Sequence, residues 1–331
     1  MTKNNQDNKG FRPVFIVGPP RCGTTMLAVL LDRHSRITVP PETQFFSQFI
    51  PQLRQLKNKP SREQAVELAL SFHRIADLQL NYDDVLKRFQ NFKNTDSGLF
   101  RSILESYAEK HNKQRPAEKS PRHLMYVPTI FSYYPAAKVI CILRDGRDMV
   151  RSLEKASWAR PTSPRRFGLF CADWNDCVRA ALKWSRKYSS ERFIIVKYEE
   201  ILSKPEKYLK KLCDFIGEDF ESSQLDADVQ TGSVPEWEKE WKNKARKSLD
   251  PTRIQAWKKE ETDTWKIWQM NSMMGRMLRK AGYDSTDLKK CNIVQRIKLI
   301  VIKLPYLKFV RPISLFGLKV IRYFKHTTDK S

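Results

Sequence analysis

A short stretch near the start of the chain, VGPPRCGTTML, has the spacing of a phosphate-binding loop. Gly18 and Gly23 occupy the two glycine positions of the pattern G-x-x-x-x-G-K-[ST], and Thr25 occupies its hydroxyl position. Thr24 stands where this pattern has lysine. We therefore expect the loop to hold a phosphate-like anion on its backbone amides, with Arg21 supplying the positive charge that the lysine would have given.

A second group with matching chemistry follows the apolar run KVICIL. Arg144 comes directly after this run, and Ser152 lies eight residues later, across a turn and the start of a helix. This spacing allows a guanidinium group and a hydroxyl group to converge on one phosphate. In the alternative interpretation Asp145 is a magnesium ligand, but it shares its turn with Arg144 and Arg147. An arginine at this place favours a further phosphate over a metal, so we expect no metal site.

The elements that must position these residues begin with three apolar, β-branched runs: VFIV at 14–17, KVICIL at 138–143 and FIIVKY at 193–198. None of them alternates polar with apolar residues, which is typical of strands buried on both faces of a parallel sheet. A helix should begin at Thr24, and helical spacing recurs at 61–80, 98–110, 169–188, 204–216 and 263–281. We therefore predict an α/β fold with a P-loop-like open, mainly parallel β-sheet flanked by helices, with helical insertions.

Composition bounds the class of protein. The 331 residues are 40% hydrophobic, which is enough for a sizeable core, and 61 Lys and Arg against 37 Asp and Glu give a net charge of +24. Such a charge favours anionic ligands or acidic membrane surfaces. The six cysteines lack metal-binding spacing, which predicts buried free thiols in a reducing compartment. With no leader-like or membrane-spanning run in the sequence, we expect a cytoplasmic protein, either soluble or associated with a membrane surface.

The end of the sequence has a separate character. From Lys289 to Lys325 there are ten Lys or Arg residues and no acidic residue, and apolar pieces are interleaved with them. This composition suits contact with anionic lipid, and a tail packed on its own domain is the alternative. We therefore separate a main domain at 13–285 from a basic amphipathic tail at 286–331.

Three segments together resemble the sulfotransferase superfamily that uses 3′-phosphoadenosine 5′-phosphosulfate (PAPS): VGPPRCGTTML, PPETQFF and KVICILRDGRDMVRS. The subfamily most similar to them is that of tyrosylprotein sulfotransferases and their bacterial relatives. The resemblance implies that the 5′-phosphosulfate is held by the loop, at Arg21, Cys22, Gly23, Thr24 and Thr25. It implies that the 3′-phosphate is held by Arg144 and Ser152, and that Tyr198, Lys247 and Ser248 lie near the nucleotide.

The same resemblance implies a mechanism without a metal. Transfer of a sulfuryl group to a hydroxyl is an in-line displacement that needs a base for the acceptor proton and cations on the departing oxygen. Glu42 matches the base of the family and should return close to the loop after the first helix, while an acid at a helix N-terminus is the alternative for it. Lys119 and Arg21 would neutralise the leaving group. His123 is the second candidate for the base.

The function expected from the resemblance is transfer of a sulfuryl group to an acceptor hydroxyl on a glycan, a lipid-linked sugar or a peptide tyrosine. The acceptor is a hydroxyl-bearing molecule for which an anionic or lipid-linked character is among the alternatives, and no nucleic acid is expected as a partner. A magnesium-dependent P-loop phosphotransferase is the alternative enzyme. A non-catalytic basic module that binds anions is the third hypothesis, and its affinity would fall steeply with salt.

Overall fold

The computed structural model describes residue 8 and residues 10–155, 164–235, 237, 249–261 and 264–285. The chain forms two compact units. The first contains Met1–Arg144 and Cys177–Ile254, and the second contains Asp145–Asp176 and Gln255–Ser331, each as far as its residues are described. Lys247, Ser248 and the predicted tail at 286–331 lie outside the described residues.

A five-stranded sheet forms the centre of the first unit, in the order β2-β3-β1-β4-β5 and with each neighbouring pair parallel. The strands are β1 (Val14–Val17), β2 (Ile37–Thr38), β3 (Arg115–Lys119), β4 (Lys138–Leu143) and β5 (Phe193–Lys197). The predicted fold class and the three predicted strands are confirmed, except that Tyr198 begins a helix instead of closing β5. In a parallel sheet the loops that follow the strands meet at one edge, which is where ligands bind in such folds.

The helices of the first unit are α1 (Thr24–Asp32), α2 (Ile50–Leu53), α3 (Arg62–Ser71), α4 (His73–Ala76), α5 (Tyr82–Gln90), α6 (Asp96–Lys110), α7 (Val127–Tyr133), α10 (Tyr198–Ser203) and α11 (Pro205–Ile216). The start of α1 at Thr24 is confirmed. The helix predicted at 61–80 opens on a capping box, in which Ser61 Oγ accepts a hydrogen bond from Gln64 N at 3.2 Å. It breaks at Phe72, whose backbone is extended with ψ 121°, so that two helices replace one.

The core of the first unit surrounds β1, whose four residues are completely buried. Leu27 and Leu31 of α1 are buried against the same cluster, so the turn between β1 and α1 joins two fixed elements. The cysteines are free and buried as predicted at five positions: Cys22, Cys141, Cys171, Cys177 and Cys213. The sixth, at position 291, lies outside the described residues.

The second unit consists of helices: α8 (Gly146–Lys155), the part of α9 (Pro164–Lys187) up to Asp176, and the helices Ala256–Glu260 and Thr264–Lys280. Its interior contains Trp174 and Met274, which are fully buried and would both lie within 3.0 Å of a Cβ atom added at Gly146. Across the part of the chain that the structure describes, no helix is both long enough and apolar enough to cross a bilayer.

Candidate active site

The turn after β1 has the geometry of an anion cradle. A Cβ atom at Gly18 would lie 2.3 Å from the Ile142 carbonyl oxygen, and Gly18 N donates to Pro121 O at 3.2 Å. Gly23 has φ +96° and stands as the N-cap of α1, where it has no side chain to cap the first amides of the helix. The turn therefore presents backbone N–H groups and the positive end of the helix dipole, which fits the predicted anion.

The loop side chains differ in burial. Thr24 is buried at the start of α1, whereas Arg21 and Thr25 are half-buried, and Arg21 has a left-handed backbone with φ +65°. Cys22 is completely buried, and this burial raises the pKa of its thiol well above the ordinary value even though Arg144 acts in the opposite direction. The Cys22 side chain is therefore a protonated part of the core, and the share of this residue in binding an anion falls to its backbone.

Glu42 and Lys119, which lie far apart in the sequence, form an ion pair. Lys119 is the last residue of β3 and is completely buried, and its Nζ donates to Glu42 Oε1 at 2.9 Å. The side chain of Glu42 keeps 14% of its surface exposed. Lys119 pairs in register with Ile16 of β1, two residues before Gly18, so the ion pair belongs to the strand next to the loop. Lys119 is therefore a core residue, not a surface lysine.

Arg144 follows β4 and is 6% exposed. Its Nη2 donates to Arg253 O at 2.9 Å, and its guanidinium carbon lies 4.5 Å from the ring centroid of Tyr198. Tyr198 also covers the loop, because a Cβ atom at Gly23 would be 2.4 Å from its ring. Two of the predicted nucleotide residues, Arg144 and Tyr198, are thus brought together beside the predicted phosphate loop.

His123 is completely buried, and both of its ring nitrogens have partners. Its Nε2 accepts a hydrogen bond from Phe46 N at 3.2 Å, so the ring proton lies on Nδ1, which donates to Glu118 Oε2 at 2.8 Å. A base must reach the acceptor proton directly or through one water. Glu42, with part of its carboxylate exposed, meets this condition, whereas the ring nitrogens of His123 are turned into the protein.

Asp145, the alternative magnesium ligand, has both carboxylate oxygens bound to one arginine. Arg147 donates from Nε to Oδ1 at 3.0 Å and from Nη2 to Oδ2 at 2.7 Å. Arg147 also lies 3.9 Å from the ring centroid of Trp257, so this tryptophan packs inside the second unit. No group of three His, Cys, Asp or Glu side chains suited to a metal ion occurs among the described residues.

The remaining predictions are not tested by these contacts. Ser152 lies in α8 of the second unit and is half-buried, and its convergence with Arg144 on a phosphate stays a prediction. Lys247 and Ser248 lie outside the described residues, so their proximity to the nucleotide also stays a prediction.

Glu118 is the residue that the sequence analysis missed. It is completely buried beside Lys119 and accepts three side-chain hydrogen bonds. Its position in AEKSPRHLMY, directly before Lys119 and five residues before His123, could have indicated a role in the site. A carboxylate in a polar stretch is usually exposed, however, so this position alone did not predict burial.

Comparisons with known proteins bear on the family of this chain. A model of the Sulfotransferase family matches residues 13–222, more than half of the chain. A protein-tyrosine sulfotransferase of Drosophila melanogaster is 26% identical over 230 residues, which are 65% of this chain and 41% of the relative. Protein-tyrosine sulfotransferase 1 of Danio rerio is 26% identical over 218 residues, which are 63% and 54% of the two chains. The chain thus spans about half the length of these curated relatives.

Solved structures bear on the fold. The sulfotransferase domain of the olefin synthase of Synechococcus PCC 7002 superposes with a TM-score of 0.59 at 19% identity, covering 86% of this chain and 99% of that domain. The sulfotransferase domain of the curacin biosynthetic pathway has a TM-score of 0.57 at 18% identity and covers 83% and 99% of the two chains. The parallel sheet flanked by helices is therefore the architecture of these domains.

Proposed function

Because this chain belongs to the Sulfotransferase family, we propose that it transfers the sulfuryl group of PAPS to an acceptor hydroxyl. The observation that carries the proposal is the ion pair of Glu42 with the completely buried Lys119, on the strand next to the anion cradle. It joins a carboxylate that has access to solvent with a cation held out of water. These are the base and the charge-neutralising group that in-line sulfuryl transfer requires.

The residues fit the 5′ end of such a donor. The glycines at 18 and 23 leave room for close approach of an anion, and the first amides of α1 point into the turn by their position in the helix. Arg21 adds charge from the turn itself. Arg144, held against Tyr198, supplies a guanidinium fork for the second anionic group of the donor. When bound, PAPS supplies an activated sulfuryl group.

The reaction needs one proton transfer. Glu42 takes the proton of the acceptor hydroxyl as its oxygen forms a bond to sulfur. The bond from sulfur to the bridging oxygen breaks, and that oxygen leaves with the electron pair on adenosine 3′,5′-bisphosphate. Lys119 and Arg21 stabilise the negative charge that develops there, and an ammonium group has three N–H donors, of which the contact with Glu42 uses one. His123 keeps its proton on Nδ1 and takes no part.

The acceptor is proposed by class. The net charge of +24 favours an anionic hydroxyl compound, and the relatives named protein-tyrosine sulfotransferases make a tyrosine flanked by acidic residues the first candidate. A glycan and a lipid-linked sugar are the other members of the class. The basic tail at 286–331 is proposed to bring the enzyme to an anionic membrane surface. We also propose a cytoplasmic location, because the five cysteines that the structure describes are free thiols, as is usual in a reducing compartment.

The test is a screen of acceptors with isotopically labelled PAPS, read by mass spectrometry. It includes an acidic tyrosine peptide, an anionic glycan and a lipid-linked sugar, each with and without a chelator. We expect a sulfated product that depends on Glu42 and persists in the chelator. Glu63→Gln serves as the matched control, because Glu63 lies on the outside of α3. Turnover of a nucleoside triphosphate that the chelator abolishes would support the phosphotransferase instead.

A further inference from the structure

Glu118 is a completely buried carboxylate that the proposed chemistry does not use. Its Oε1 accepts hydrogen bonds from Thr43 Oγ1 at 2.8 Å and from Ser120 Oγ at 2.5 Å. Its Oε2 accepts one from His123 Nδ1 at 2.8 Å. Thr43 follows Glu42 in the chain, and both Glu118 and Ser120 adjoin Lys119. The carboxylate is therefore bonded to the immediate neighbours of both members of the proposed catalytic pair.

The same three side chains also receive hydrogen bonds from the loop that follows Glu42. The donors are the backbone N–H groups of three consecutive residues: Gln44 N to Ser120 Oγ at 3.0 Å, Phe45 N to Thr43 Oγ1 at 3.3 Å, and Phe46 N to His123 Nε2 at 3.2 Å. Each side chain is thus an intermediate between one loop amide and Glu118. Three parallel connections converge on one carboxylate.

The direction of every hydrogen bond in this network follows from the backbone donors. An amide N–H can only donate, so each hydroxyl accepts there and has its own hydrogen free for Glu118. The imidazole of His123 accepts on Nε2, and its proton must then lie on Nδ1. All three side chains consequently donate to Glu118, which takes part as the ionised acceptor. No member of the network can be reversed without placing two donors face to face.

A buried carboxylate is costly unless several hydrogen bonds replace its hydration. The three bonds to Glu118 meet this need, and they do so by holding the loop at 43–46 against the end of β3. Gln44 within that loop has a left-handed backbone with φ +50°, a conformation that side-chain-bearing residues keep only where their surroundings impose it. The side-chain Nε2 of Gln44 donates to Glu42 Oε2 at 3.3 Å, so the residue that has this backbone conformation is hydrogen-bonded to the proposed base.

We propose that Glu118 is a positioning residue, which fixes the distance between Glu42 and Lys119 by tying the backbone on either side of them to one buried charge. This inference rests on the proposed function, because it assigns Glu118 a purpose in the chemistry of that pair. Glu118 does not touch the donor or the acceptor. It acts through Thr43, Ser120 and His123, and misplacement of a reacting group by about 1 Å can cost about 100-fold in rate.

The test is Glu118→Gln, which keeps the size and removes one acceptor position. If its amide N–H₂ faces Thr43 and Ser120, two hydroxyl donors lose their acceptor, and if it faces His123, the ring N–H loses its acceptor. Asp32→Asn is the matched control. Asp32 is also a buried carboxylate that accepts backbone N–H groups, from Val39 at 2.9 Å and from Gly232 at 3.0 Å, but it lies at the far end of α1 from the loop.

Three measurements are made on the full chain at a temperature where all variants are folded. For the acceptor that the screen shows to be sulfated, kcat of Glu118→Gln should fall about 100-fold. Its Kd for adenosine 3′,5′-bisphosphate should stay within about threefold of the wild-type value, and Asp32→Asn should retain kcat. The ¹⁵N spectrum of histidine-labelled protein should show His123 protonated on Nδ1 in the wild type, and this signal should change in Glu118→Gln.

The outcomes separate the two proposals. A wild-type chain that transfers no sulfuryl group refutes the proposed function, and the positioning role falls with it. An active wild type whose Glu118→Gln variant keeps its kcat refutes the positioning role alone. The same conclusion follows if bisphosphate binding is lost together with kcat, since that indicates a general structural defect, or if His123 carries its proton on Nε2.

Discussion

Replacing Glu42 by glutamine removes one charge from the ion pair and leaves the other in place. Lys119 has no exposed surface, and its Nζ lies 2.9 Å from the carboxylate that neutralises it. Glutamine is nearly the same size and keeps an oxygen for the hydrogen bond, but it cannot accept a proton from the acceptor hydroxyl. General bases typically contribute between 10² and 10⁴ in rate, so we expect kcat to fall about 10³-fold.

The same change should lower the stability of the free enzyme. Removal of one partner from a fully buried ion pair costs about 3–5 kcal/mol. Glu42 is 14% exposed and the amide oxygen still faces the ammonium group, so about 2 kcal/mol is the expected loss in the free energy of unfolding. Because the unfolding entropy grows with chain length, that loss corresponds in a chain of 331 residues to a fall in Tm of about 3 °C.

Donor-site ligands should reverse this loss. In the wild type an anion at the 5′ position competes with Glu42 for Lys119, whereas in Glu42→Gln the anion restores the missing negative charge. Adenosine 3′,5′-bisphosphate should therefore raise the Tm of Glu42→Gln by more than it raises that of the wild type. At 100 times its Kd a ligand adds about 2.7 kcal/mol to the free energy of unfolding, which is large enough for the Tm shifts of the wild type and the variant to be compared.

The assay combines thermal unfolding, with and without the bisphosphate, and the initial rate of sulfation. The reasoning is refuted if Glu42→Gln retains more than about a tenth of the wild-type kcat. It is also refuted if the bisphosphate stabilises the variant less than the wild type, because the carboxylate would then support donor binding instead of competing with it. The Glu63→Gln control should match the wild type in both measurements.

Arg144→Leu should raise the Kd of the bisphosphate by at least about tenfold in calorimetry, since a charge-assisted contact contributes about 1.5–3 kcal/mol, and an unchanged Kd would remove Arg144 from the site. Gly23→Ala should lower the Tm and weaken binding of the bisphosphate, because residue 23 has φ +96° and an added Cβ would lie 2.4 Å from the Tyr198 ring. A variant that unfolds at the wild-type temperature would contradict this. Because burial raises the pKa of the Cys22 thiol, peptide mapping should find it alkylated slowly at pH 8 in the native protein and rapidly in urea, whereas fast native alkylation would show an accessible thiolate.

Strands β1, β4 and β5 could be predicted because each is a continuous apolar run, the pattern of a strand covered on both faces. Strand β3 could not, since its sequence RPAEK contains a proline and three charged residues. Its arginine is at the start of the strand and its Glu118 and Lys119 at the end. The burial of these two depends on ion pairs and hydrogen bonds with residues about 75 positions away, which local pattern cannot reveal.

The candidate site divides in the same way. The loop and the arginine after β4 are local motifs, so their types and spacing were sufficient to predict an anion site. The choice between Glu42 and His123 as the base was not local, because it depends on which side chain keeps access to the acceptor. The argument for proposing Glu42 comes from the packed structure, in which Phe46 and Glu118 are bonded to the two ring nitrogens of His123.

The structure shows where a lysine lies relative to the loop that lacks one. Thr24 stands where a phosphate-binding loop has lysine, but β3 brings a completely buried lysine to the neighbouring position in the sheet, in register with Ile16 of β1. Lys119 is paired with Glu42, so the cation proposed for the leaving group and the base proposed for the acceptor are held in one contact. The contact with Glu42 uses one of the three N–H donors of the Lys119 ammonium group, so Lys119 can stabilise a leaving group while it holds the proposed base in place.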